Sequence, residues 1–214
     1  MKEVEAEIQK MLANDIIQPS HFSWSTAIVV VIKATCIRIC LDYMKLNEIT
    51  VKDSYPLPRI DDSLDTLRGN VWFGSVDLSS GYYQVDIDHS DASKTAFATS
   101  KGLFEFKRMI MGLSNVCATF ERLMEYVIAG MQWEICIVYL ADIIIFSRTL
   151  DEHLARLQTV FFSRIKEAGL KISHQKCYLF HREVKFLGQI VKSTGILPDP
   201  SQIEAISTWP VQIV

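Results

Sequence analysis

The chain has 214 residues, 49% of them hydrophobic and 22% charged, with a formal net charge of −3. That length suits one sizeable domain or one and a half, and the apolar share is enough for a core. No apolar run reaches the roughly 18 residues of a membrane span. The charged start "MKEVEAEIQKML" has no signal-peptide core, and mild acidity argues against a generic nucleic-acid binder, so an intracellular protein, or a piece of something larger, is expected.

Val4, Ile8, Met11 and Leu12 share one helical face, which predicts a helix over 3–14, ended by "NDIIQPS". "STAIVVVIK" and "CIRICLDY" read as a hairpin, and "YPLPR" as an extended linker. "IDDSLDTLRG" is helical, with Gly69 as its stop. "VWFGSVDLSSGYYQVDI" reads as strand, break, strand, and "GLFEFKRMIMGL" as a strand pair. "NVCATFERLMEYVIAG" is an amphipathic helix ending at Gly130. "EICIVYL" and "IIIFS" are apolar strands around a tight turn at Leu140-Ala141-Asp142. Thr149 to Glu152 is a capping box, opening a helix with Leu154, Leu157, Phe161 and Ile165 on one face and Gly169 as its stop. "GLKIS", "CYLF" and "VKFLGQIV" read as short strands, and "PDPSQIEAISTW" starts a last helix. The mix predicts an α+β fold, with helices on one face of a mostly antiparallel sheet.

The five cysteines, Cys36, Cys40, Cys117, Cys136 and Cys177, form no CxxC pair and read as free thiols. From Val160 to Lys192, Arg164, Lys166, Lys171, Lys176, Arg182, Lys185 and Lys192 face only Glu167 and Glu183. Such a run is either a solvated face or a phosphate-tracking surface.

Asp77 and Asp142 each sit at a strand end in apolar surroundings. A charge there is costly unless paired or coordinating. Carboxylates at a common sheet edge suit Mg²⁺, which takes one or two of them and completes its shell with water and phosphates. Two such ions can clamp an in-line phosphoryl displacement. Taken alone, a strand-end Asp is more often a turn or cap residue.

Seven blocks then occur in order: "RICLDYMKLNEIT", "YPLPRIDDSLDTLRG", "WFGSVDLSSGYYQVDI", "KTAFATSKGLFEFKRMIMGLSNVCATFERLM", "VYLADIIIFS", "AGLKISHQKC" and "VKFLGQIV". Together they closely resemble the reverse transcriptase domain of gypsy-type LTR retrotransposon Pol polyproteins. The resemblance implies a right-hand polymerase fold: fingers over 1–50 and 87–110, palm over 51–86 and 111–200, and a truncated thumb start over 201–214. It matches Asp77 to a metal-binding aspartate and Tyr139-Leu140-Ala141-Asp142 to the family's Tyr-x-Asp-Asp turn. Asp142 is then the second aspartate, and Ala141 stands where the first catalytic one should be. Arg38 and nearby Lys33 match the triphosphate-holding cations. Tyr82 matches the residue beneath the incoming sugar, and Leu78, Met111 and Gly112 belong to the nucleotide site. Phe186, Leu187 and Gly188 match the primer grip, although core packing alone also accounts for the first two. The implied cofactor is Mg²⁺ or Mn²⁺. The implied partners are an RNA or DNA template with primer, deoxynucleoside triphosphates, and adjoining protease, RNase H and integrase domains, with no membrane.

The chain departs from the family pattern at Ala141, in the finger turn Ala34-Thr35-Cys36-Ile37, at Met111 for a phenylalanine and at Cys117 for a proline. Losing a ligating carboxylate predicts a fall of roughly a thousand- to ten-thousand-fold in rate. Folding is expected to suffer less: alanine is a poorer hairpin-turn residue than Asp or Gly, yet its methyl relieves repulsion between crowded carboxylates. The alternatives to a polymerase are a catalytically inactive remnant, at most binding nucleic acid, and an unrelated α+β binding module.

Overall fold

The computed structural model describes residues 2–32, 37–201 and 203. In chain order the elements are α1 (Lys2–Ala13), β1 (Ile17–Pro19), β2 (Thr26–Ile32), β3 (Ile37–Leu41), α2 (Met44–Ile49), α3 (Ile60–Leu67), β4 (Trp72–Asp77), α4 (His89–Ala92), β5 (Phe97–Thr99), β6 (Gly102–Phe106) and α5 (Val116–Val127). There follow β7 (Cys136–Tyr139), β8 (Asp142–Ser147), α6 (Leu150–Val160), β9 (Tyr178–His181), β10 (Glu183–Phe186), β11 (Gln189–Lys192) and β12 (Gly195–Pro198). They fall into two compact units, Met1–Ser54 with Ser80–Thr119, and Tyr55–Ser79 with Phe120–Val214.

The first unit holds a five-stranded sheet in the order β1-β6-β5-β2-β3. The expected hairpin is present, β2 and β3 pairing antiparallel from Ile28↔Leu41 to Ile32↔Ile37. One pair, β2 with β5, is parallel. Ile8 and Met11 of α1 are buried with Ile17, Tyr43, Phe97, Phe104 and Phe106, and Val4 and Leu12 pack around them, so the apolar stripe of the helix becomes its inner face. The buried Tyr43 hydroxyl donates to the Thr95 carbonyl at 2.9 Å, which makes that burial affordable.

The second unit is built on an antiparallel sheet in the order β7-β8-β4-β9. β4 and β8 stay in register from Trp72↔Ser147 to Asp77↔Asp142. Leu64 and Leu67 of α3 join Phe73, Ile137, Ile144, Phe146, Val184, Phe186 and Val191 in one core. The last three come from a small sheet of order β10-β11-β12. Helix α6 packs on β8 and β4. The Thr149 side chain caps it, accepting from the Glu152 amide at 3.3 Å. Glu152 reaches back to the amide of Arg148 at 3.0 Å, one residue earlier than a capping box requires. Beyond Val160 the helix loosens into a π-helical turn, Phe161–Ile165, short of Gly169.

Several expected strands are absent. "YYQVDI" begins as a 3-10 turn, Gly81–Gln84, entered through Ser80 at φ 50°, and Asp86 makes only an isolated bridge to Arg108. That bridge is also all that "KRMIMGL" contributes beyond Phe106. "GLKIS" is reduced to a bridge between Ile172 and Leu78. The last helix and the expected thumb start fall almost wholly outside the described residues. No helix among the described residues is long and apolar enough to cross a membrane.

Candidate active site

The strand pair β7–β8 is a hairpin whose flanks, Cys136, Ile137, Val138, Ile143, Ile144 and Ile145, are almost completely buried. Tyr139 pairs with Asp142, leaving Leu140-Ala141 as a two-residue turn. Leu140 takes φ 55° and Ala141 does not lie at positive φ. This is the φ pattern of a type II′ hairpin turn, in which only the first central residue is left-handed. The conformational demand therefore falls on Leu140, and the expected turn penalty for Ala141 does not arise.

Asp142 opens β8 directly opposite Asp77 at the end of β4. Side chains opposed in this way stand on one face of the sheet, about 5 Å apart at Cβ. Asp142 is exposed at the sheet edge, yet desolvation by the apolar strands beneath it, and then the charge of Asp77, pushes its carboxyl above the ordinary value, while Lys176 opposes the rise. The Lys176 ammonium lies 3.4 Å and 3.5 Å from the two carboxylate oxygens of Asp77. Two opposed carboxylates fit a single Mg²⁺ that keeps water in the rest of its shell. Residue 141, next to Asp142 in the turn, carries a methyl group and adds no third carboxylate. No group of three or more His, Cys, Asp or Glu side chains able to hold a metal occurs among the described residues.

The other predicted site residues are distributed as follows. Lys33 and the finger-turn residues Ala34, Thr35 and Cys36 lie outside the described residues. In the first unit Arg38 is exposed on β3 and donates to the sulfur of the exposed Met111 at 3.5 Å. Tyr82 is half-buried, its hydroxyl 3.8 Å from the Cys117 sulfur. Gly112 takes φ 106°, and a Cβ there would lie 3.7 Å from the Tyr43 ring. Asn47, which the sequence reading passed over, clamps this stretch: its side chain donates to the Gly112 carbonyl at 2.7 Å and accepts from the Ser114 amide at 2.8 Å.

In the second unit Leu78 is buried. Leu187 and Gly188 form the turn between β10 and β11, both at positive φ (49° and 77°). That is the type I′ pattern, which glycine meets easily and leucine does not. Phe186 is buried and Leu187 packs against the same core, so the packing account of these residues holds. Three further residues border the hairpin or its aspartates and carried no individual signal: Glu121, Gln132 and Lys176. Within the basic stretch, Lys185 pairs with Asp199 and Lys192 with Glu183, so part of its charge is spent internally.

The site is thus a pair of opposed aspartates beside a tight apolar hairpin, on a four-stranded antiparallel sheet of an α+β fold. The family described as "Reverse transcriptase (RNA-dependent DNA polymerase)" matches residues 33–191, and the chain belongs to it. More narrowly, it is similar to transposon Pol polyproteins of the gypsy type. It is 40% identical over 215 residues to the "Retrovirus-related Pol polyprotein from transposon 297" of Drosophila melanogaster, covering 98% of this chain and 20% of that protein. Identity to the corresponding polyprotein from transposon gypsy of the same fly is 34% over 214 residues, covering 97% of this chain and 21% of that protein. An "RNA-directed DNA polymerase homolog" of Oenothera berteroana is 42% identical over 127 residues, 58% of this chain and 89% of that one. The fold matches foamy viral protease-reverse transcriptase, solved with an RNA/DNA hybrid, at a TM-score of 0.87 and 24% identity, over 97% of this chain and 28% of that one. The chain thus spans about a fifth of the length of the transposon polyproteins.

Proposed function

We propose that this chain is the polymerase part of such a polyprotein, built to add deoxynucleotides to a primer 3′-hydroxyl on an RNA or DNA template, with a catalytic centre weakened by Ala141. The observation that carries this reading is the register pair Asp77↔Asp142 beside a turn with alanine at its second position. In this reading the fingers are 1–50 and 87–110, both within the first unit, the palm is 51–86 and 111–200, drawn mostly from the second unit, and the thumb begins near residue 201. Arg38 and Lys33 bind the triphosphate, Tyr82 lies under the sugar, and Leu78, Met111 and Gly112 shape the nucleotide's seat. The backbone at Phe186, Leu187 and Gly188 holds the primer end. Protease, RNase H and integrase segments would adjoin it.

Asp77 and Asp142 are the residues that would hold Mg²⁺ or Mn²⁺. When bound, such an ion supplies positive charge at the phosphoryl oxygens where negative charge builds up. What the chain's own residues contribute is position. The strand register sets the two carboxylates opposite each other, and the Lys176 ammonium balances Asp77. The missing carboxylate weakens transition-state stabilisation by about 4–6 kcal/mol.

The same alanine, together with the Lys176–Asp77 ion pair, favours a second reading, a folded remnant without catalysis. Primer extension by this chain and by Ala141→Asp, each within a polyprotein carrying thumb and RNase H segments, separates the two. The expected result is a gain of about a thousand-fold or more for Ala141→Asp. Equal, robust synthesis by both would overturn the account of Ala141. No synthesis by either would favour the remnant.

A further inference from the structure

We propose that Glu121 is a positioning residue for the turn at Leu140-Ala141: its carboxylate holds the Leu140 backbone from outside the sheet and so sets where residues 141 and 142 stand. The inference deepens the polymerase reading and rests on it for its catalytic consequence, while its structural content concerns this chain alone.

β7 is the outer strand of its sheet. Alternate residues of a strand send their N–H groups the same way, so Cys136, Val138 and Leu140 share the open edge. Each has been given an acceptor. The Cys136 amide donates to the Met131 carbonyl at 3.3 Å. The Val138 amide donates to Oε1 of Gln132 at 3.2 Å, and the Leu140 amide to Oε2 of Glu121 at 2.5 Å. The first acceptor is neighbouring backbone. The last two are side chains, and Glu121 lies on α5, 19 positions from Leu140.

Glu121 is an expensive choice if packing were its only task. It is fully buried, and its Oε1 has no hydrogen-bond partner among the described residues. An apolar side chain would fill the same volume without desolvating a carboxyl. Its bonded oxygen is aimed at the backbone of the one turn residue forced to positive φ. A leucine resists that conformation, and a strong acceptor on its amide holds it there. The strand register then carries position onward, since Tyr139 pairs with Asp142 and Asp142 faces Asp77.

The test reads amide hydrogen exchange at Leu140 in the full chain, in Glu121→Gln and in Glu121→Ala. Glutamine keeps an acceptor oxygen and is expected to hold exchange within about two-fold of the parent. Alanine is expected to raise it about ten-fold, with the amide of Ile144 unchanged, which distinguishes local release from global loss of structure. If the alanine variant fails to fold, Glu121→Met refills the volume without a strong acceptor and is read in the same way. In the Ala141→Asp chain, again within a polyprotein carrying thumb and RNase H segments, Glu121→Ala is expected to lower kcat for primer extension about ten-fold, leave KM for the nucleotide within about two-fold, and be rescued by glutamine. Unchanged Leu140 exchange on loss of the acceptor overturns the proposal. Should Ala141→Asp fail to extend primers, the polymerase reading fails and Leu140 exchange alone decides the role of Glu121.

Discussion

Lys176 and Asp77 form an ion pair in which one ammonium lies 3.4 Å and 3.5 Å from both carboxylate oxygens. A resident organic cation thus sits on the carboxylate expected to meet a divalent one. Lys176→Met is predicted to raise Mn²⁺ affinity about three- to ten-fold, followed by electron paramagnetic resonance titration. The pair is largely exposed, with Lys176 at 68% and Asp77 at 28% side-chain exposure, so the cost in thermal stability should stay under about 1 kcal/mol. An affinity that falls instead would mean Lys176 helps to hold the ion's surroundings together.

Glu121 should make stability depend on pH in an unusual direction. Burial pushes its carboxyl from 4.5 up to about 7, with the Leu140 amide holding it down and Glu125 raising it further. A folded value above the unfolded one means the folded state binds its proton more tightly. Its contribution is therefore complete below pH 4.5 and is lost as pH rises through about 7. The loss amounts to about 3 kcal/mol at most. Glu121→Gln should remove that slope and be about 1–3 kcal/mol more stable at pH 8. Parallel denaturant titrations at pH 4.5 and pH 8 check this, and an unchanged slope would contradict it.

His153 should act on the acid side. It is fully buried in α6, with Nε2 donating to the Leu179 carbonyl at 2.7 Å and Nδ1 unpartnered among the described residues. Burial, chiefly, lowers its pKa below 6.5, with the Leu179 bond opposing. The imidazole is neutral in the fold, so stability is unaffected above pH 6.5 and falls as pH drops below it, where the unfolded chain gains the proton first. Melting curves from pH 7 to pH 5 should show this, and His153→Leu should flatten it.

Gly74 lies against the same bond. A Cβ at Gly74 would stand 3.2 Å from the Leu179 carbonyl oxygen and 3.4 Å from His153 Nε2. Gly74→Ala is predicted to destabilise the chain by about 1–3 kcal/mol in chemical denaturation. A neutral result would mean that β9 can move away.

The hairpin, the four long helices and the β2–β3 pair were legible because each carries a sustained period or a dense run of β-branched residues. Asp77 and Asp142 stood out as single charges in apolar strands. β1 "IQP" and β5 "FAT" were not legible, since three residues display no periodicity and their pairing comes from β6. "YYQVDI" alternates like a strand, but the left-handed Ser80 turns the chain into a 3-10 segment first. Glu121 looked like any charge on the polar side of an amphipathic helix. Lys176 was one cation in a basic run, and only the return of the chain past β4 puts it on Asp77.

The outside bracing of β7 bears on how such a chain ages under mutation. The outer strand is held by an acceptor at position 132, and the turn by an acceptor at position 121 and a positive-φ residue at 140. Position 141 contributes none of that support, so it can exchange a carboxylate for a methyl while the hairpin keeps its shape. On the polymerase reading, a change at this point alters the chemistry without altering the hairpin, and a copy that lost its reaction in this way would still fold.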